Sequence, residues 1–203
     1  MRVTLLCGVV SALVLATAGN AAAPVFDSAQ GAGSYNARGC MIMVPPDRDL
    51  ACFPDVDRVR DFSFSAKQRG FGERASGFWT QRQTGPSGVS TVGGPVTCLN
   101  VLGDTAVFGG VITEQATPEG RTPLVGVPFL IWVVDNGSAS DGDPPDLISP
   151  YAVFPDGDPD RPLLPHAFPN VCPQPFPSLY GYFPLTSGNV VVEDQASPRA
   201  AIR

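Results

Sequence analysis

Charge is scarce in this sequence. Only 16% of its 203 residues are Asp, Glu, Lys or Arg, with one lysine, Lys67, and one histidine, His166. No basic run occurs anywhere, and acidic residues outnumber basic ones 19 to 13. A surface of that sign repels phosphate backbones, which argues against nucleic acid as a partner. Anionic lipid headgroups are disfavoured for the same reason. No C-x-x-C accompanies the single histidine, so the usual ligand set of a structural zinc site is missing. No G-x-S-x-G occurs either, and His166 sits among Pro162, Pro165 and Pro169. A Ser–His–Asp relay needs a base oriented by its neighbours, and none is indicated here. Nor does any spacing among the acids select a carboxylate pair for glycoside hydrolysis. The chain reads as noncatalytic; a secreted hydrolase with dispersed carboxylates is the less favoured alternative.

Long apolar runs are absent beyond the N-terminus. There, Arg2 precedes an apolar stretch from Leu5 to Leu15, followed by Ala16 to Ala23, a segment rich in small residues. One positive charge, a short apolar run and small residues at a cleavage zone form a secretory signal peptide over residues 1–23. The run is too short to span a bilayer, which takes roughly 20 residues. The expected product is exported, with no membrane insertion after cleavage. It keeps 12 basic residues against 19 acidic ones. The near-absence of lysine, with abundant Ala, Gly and Pro, associates the sequence with a high-GC bacterial genome.

Four cysteines follow the signal segment: Cys40, Cys52, Cys98 and Cys172. An even number in an exported chain implies disulfides, with three possible connectivities. Proximity favours Cys40 with Cys52, which leaves Cys98 with Cys172. The second bridge would close a loop of about 75 residues, worth roughly 4 kcal/mol on the chain-entropy account.

What the sequence has in quantity is Gly and Pro, 22 of each. Pro costs a helix interior about 3 kcal/mol and Gly about 1, so a helical bundle is excluded. Residues 24–57 show little periodicity and read as an irregular, disulfide-stapled segment. From residue 58 the pattern becomes that of strands. Asp61-Phe62-Ser63-Phe64-Ser65-Ala66 alternates polar and apolar, as a half-buried strand does. Ala75–Arg82 is a weaker strand. Val96–Leu102 and Thr105–Ile112 flank Gly103-Asp104, a hairpin signal. Leu124–Asp135 is apolar on both faces in its second half, as in a strand covered on both sides, with Pro128 disturbing its entry. Leu147–Phe154, broken by Pro150, and Gly188–Asp194 complete a count of about seven strands, which predicts an antiparallel β-sandwich, broadly immunoglobulin-like or Greek-key. The domain is expected over 58–195, with a Pro-rich insertion at 150–184 and a flexible tail at 196–203.

Several of these strings occur in an order that resembles a family of secreted bacterial β-domains of the post-COAP type. They are Phe62–Ala66, Ala75–Gly77, Val96–Ala106, Trp132–Gly137, Pro145–Ser149 and Gly188–Val192. Together they span about two thirds of the chain. The resemblance implies a secreted all-β module without known activity. It departs at Glu193-Asp194, where members carry His-Asp, and it covers neither the Cys40–Cys52 segment nor the Pro-rich insertion.

Two features invite a functional reading. Asp141, Asp143 and Asp146, and farther on Asp156, Asp158 and Asp160, cluster on Gly-bearing loops. Closely spaced carboxylates suit calcium, although Asp and Gly are also the ordinary residues of solvated turns. The insertion 150–184 holds ten prolines and seven aromatics, among them Tyr151, Tyr182 and Phe183. Such rings either pack over the end or face of the β-domain, the favoured reading, or form a platform for an extracellular protein or glycan. The resulting expectation is a secreted or cell-surface binding or structural module, with a calcium-dependent module as the alternative.

Overall fold

In the computed structural model the described residues are 26–37, 39–41, 51–53, 58–69, 73–86, 88–118, 123–138, 141–153, 172 and 182–195. The signal segment, His166, the 156–160 acids and the tail lie outside them. The described strands are β1 (Asp27–Asn36), β2 (Gly39–Met41), β3 (Ala51–Phe53), β4 (Val59–Gln68), β5 (Ser76–Gly85) and β6 (Gly88–Leu102). They continue with β7 (Thr105–Val111), β8 (Glu114–Ala116), β9 (Pro128–Val134), β10 (Leu147–Ile148), β11 (Ala152–Val153) and β12 (Phe183–Glu193). Among the described residues, no helix is long and apolar enough to cross a membrane.

The all-β expectation holds, but the sandwich does not. Strands β1, β4, β5, β6, β7, β9, β10 and β12 pair antiparallel in sequence order, and β12 pairs back onto β1. The sheet therefore closes into an eight-stranded up-and-down barrel, with neither two facing sheets nor a Greek-key crossover. Closure runs through β1, which lies within the segment expected to be irregular. Its pairing with β4 is continuous from Asp27↔Gln68 to Asn36↔Val59, so residue 58 is no domain boundary. At the far side the ring is sealed by only two residues, Leu147 and Ile148, each bridging β9 and β12.

Alternation sorts the side chains. On β4, Arg60, Phe62, Phe64, Ala66 and Gln68 are buried inside, while Ser63, Ser65 and Lys67 face out. Phe64 stacks on Phe108 with ring centroids 4.4 Å apart, and Trp79 meets Phe129 at 4.5 Å. These rings fill the lumen, which in a barrel of eight strands is only wide enough for side chains or one small ligand. The neighbouring strand β1 makes room for Phe64. A Cβ on Gly31 would lie 2.9 Å from Phe64 Cε1 and 2.8 Å from the Asn189 carbonyl. The Phe64 ring on β4 and the missing side chain at Gly31 on β1 are thus one packing solution.

The hairpin between β6 and β7 turns at Gly103-Asp104 as expected, with Leu102 opposite Thr105. Gly103 has φ +64, the left-handed region that such turns require. Strand β9 is covered on both sides. Phe129, Ile131 and Val133 belong to the lumen, whereas Leu130 and Trp132 join Val107, Cys98 and Cys172 in a second apolar cluster on the outer wall.

Candidate functional site

The two ends of the barrel differ in chemistry. One end carries the β6–β7 turn, the β9–β10 connection and the end of β12, and its carboxylates are turned onto backbone amides. Asp146 is buried to 4% exposure. Its Oδ1 accepts the Asn136 N–H at 2.9 Å and its Oδ2 accepts the Val190 N–H at 2.7 Å. Its own carbonyl accepts the Leu185 N–H at 2.9 Å. Asp135 caps the turn after β9 through Gly137 N–H and reaches the Val192 N–H with its other oxygen. Asp143 Oδ2 accepts the Ser138 N–H, while Asp141 is exposed and its own N–H donates to the Ser138 carbonyl. Asp141, Asp143 and Asp146 are thus neighbours in sequence that the fold puts to separate tasks. Among the described residues, no group of three or more His, Cys, Asp or Glu side chains could hold a metal ion.

The cysteines divide in the same way. Cys98 and Cys172 form a disulfide, S–S 2.08 Å, between residues that are 1% and 5% exposed. It ties the β10–β12 connection to the outer wall of β6, over Val107, Leu130 and Trp132. A buried disulfide is compatible with an extracellular protein. Cys40 and Cys52 are directly opposite each other in the β2–β3 hairpin.

The other end holds a charged group that sequence patterning did not single out. Arg60 opens β4 on the same parity as Phe62 and Phe64 and is 2% exposed. A guanidinium keeps its charge even when buried, so its surroundings must hold it. Nη1 of Arg60 donates to the Tyr35 hydroxyl at 3.4 Å, which itself donates to Gln81 Oε1 at 3.1 Å. The guanidinium carbon lies 5.9 Å from the ring centres of both Tyr35 and Tyr151, a cation–π arrangement on two sides. Tyr151 also meets Trp79 at 5.4 Å, and Phe183 stacks on Tyr35 at 5.7 Å. Trp79 is fully buried, and its indole N–H has no hydrogen-bond partner among the described residues. The parity of Arg60 with the two phenylalanines was the available signal. Its neighbours come from β1, β5 and the β10–β11 break, which no local pattern connects.

Burial pushes the Tyr35 phenol above its ordinary value of 10.0, opposed by the charge and hydrogen bond of Arg60. The folded state therefore holds a proton that the unfolded chain releases above pH 10. This contribution is fully present below that pH and is lost as pH rises further. The urea midpoint is expected to fall above about pH 10, and Tyr35→Phe to flatten that alkaline limb. Parallel limbs in the two proteins would contradict this.

No family model, curated protein or solved structure matches the chain. The resemblance to the post-COAP type accordingly stands on the quoted strands alone.

Proposed function

We propose that this chain is a secreted, noncatalytic binding module, with the barrel as a rigid frame and the β10–β12 connection as its recognition element. One observation carries the reading. The connection is anchored at two points, by Tyr151 against Arg60 and Trp79 at the barrel end and by Cys172 on the outer wall. Recognition loops gain affinity when part of their ordering cost is met before binding, and the anchors at Tyr151 and Cys172 meet part of it. Its composition suits contact with an extracellular protein or glycan, since aromatic rings on Pro-stiffened backbone lose little entropy on binding.

The test replaces residues 154–171 by a short Gly/Ser linker that keeps Tyr151 and Cys172. The expected result is an unchanged β-type circular dichroism spectrum with retention on bacterial envelope fractions or glycan arrays lost. A folded variant retained as well as the parent would refute the reading.

A further inference from the structure

The Arg60 end of the lumen contains more recognition chemistry than packing alone requires. Three donors gather there: the guanidinium of Arg60, the hydroxyl of Tyr35 and the indole N–H of Trp79. A buried indole N–H nearly always finds an acceptor, and that of Trp79 has none among the described residues although Trp79 is fully buried. The ring that contacts both Arg60 and Trp79 belongs to Tyr151. Tyr151 does not come from a barrel stave. It sits in the break between β10 and β11, next to Pro150, and is only half-buried, whereas Tyr35 and Trp79 are fully enclosed.

We propose that the ring of Tyr151, whose backbone stays held on β9 by β10 and β11, is a removable occupant of a ligand seat, and that the seat takes a single-ring aromatic carboxylate. The ligand ring replaces the Tyr151 ring against Trp79 and the Arg60 guanidinium. Its carboxylate receives charge-assisted hydrogen bonds from Arg60, the side chain whose planar fork matches a carboxylate. A polar atom on the far side of the ring supplies the acceptor for the Trp79 N–H. The ring seat is apolar and the charge is fixed at one edge of it, so a neutral ring or an aliphatic acid each satisfies only half of the site. This deepens the binding reading, yet it concerns the lumen rather than the connection's outer surface.

The probe is 4-hydroxybenzoate, which carries acceptors at both ends of one ring, followed by tryptophan fluorescence in the full-length disulfide-bonded protein. Saturable quenching is expected, with p-cresol, which lacks the carboxylate, binding at least about tenfold more weakly. Arg60→Gln should lose about tenfold in affinity for 4-hydroxybenzoate and much less for p-cresol, which forfeits only the ring contact. If that variant does not fold, Arg60→Lys, which keeps the charge but not the fork, should show the same loss. Tyr151→Ala should tighten binding several-fold, because the competing ring is gone. Two results would overturn the proposal. One is no saturable quenching in the wild type. The other is binding by Tyr151→Ala alone, which would make Tyr151 a permanent core residue and the new site an engineered cavity. Envelope retention with no titration, or titration with no retention, separates failure of this inference from failure of the binding reading.

Discussion

Replacing Asp146 by alanine is expected to lower stability by about 3–5 kcal/mol, and the melting temperature by roughly 10 °C. Its two carboxylate oxygens hold the Asn136 and Val190 amides, and truncation removes both bonds at once. Each lost bond to a charged acceptor is worth about 1.5–3 kcal/mol, and leaving a buried N–H unsatisfied costs about 1–3. The location enlarges the effect. Strand β10 spans only two residues, so backbone pairing alone makes a thin seal between β9 and β12. Asp146, immediately before β10, adds three hydrogen bonds to that seal, one to the turn after β9 and two to β12. Asp146→Asn keeps one acceptor but presents an amide N–H to the other backbone N–H, so about half the loss is expected. Urea denaturation of both variants checks the order, and an alanine variant as stable as the parent would refute it. Amide exchange should accelerate first at Val190 and Ile148.

Removing the Cys98–Cys172 bridge is the second large effect, with an expected loss of about 4 kcal/mol. The residues are 74 apart in sequence, so the bridge constrains a long stretch of the unfolded chain. The native state is affected as well. Val107, Leu130 and Trp132 form an outward apolar face that Cys172 and Tyr182 cover. Once the tether is cut, only contact energy keeps that cover in place, and exposed apolar area of this kind favours association. The Cys98→Ala, Cys172→Ala double variant should therefore melt well below the oxidised parent, bind a hydrophobic dye more strongly and show red-shifted tryptophan emission. Matching melts and spectra for the two proteins would contradict this account.

Much of the wall was legible in the sequence. The Phe62/Phe64 alternation, the Gly103-Asp104 hairpin and the two-sided apolarity of 129–134 each reflect local patterning, and each appears as a strand or turn. Strand β1 was not legible, because Ala29, Gly31 and Gly33 carry little of the apolar signal that periodicity detects. Gly31 is small since Phe64 and the Asn189 carbonyl occupy the space beside it, and Gly33 since the Ser187 carbonyl does. Closure was hidden for a related reason. It depends on pairing the first strand with the last, 163 residues apart at Ala29↔Val192, and on a two-residue strand too short to show a period. The Asp141–Asp146 cluster was visible as composition, but composition does not show whether carboxylates face each other or the backbone. Arg60 was overlooked because the alternating run was read from Asp61, one residue short of the charge that shares its inward face.

Ring closure also decides how another molecule can engage this protein. Each of the eight staves has a neighbour on both sides, and where β10 pairs with only two residues of β12 the Asp146 and Asp135 carboxylates take the Val190 and Val192 amides. Ring closure thus leaves little free edge for an extended peptide to lengthen the barrel sheet, the route that reads backbone and tolerates many sequences. Contact has to be made by side chains, on the outer wall, at the barrel ends or along the connections. On the proposed binding role, selectivity would fall to individual residues, and single substitutions should be able to abolish it.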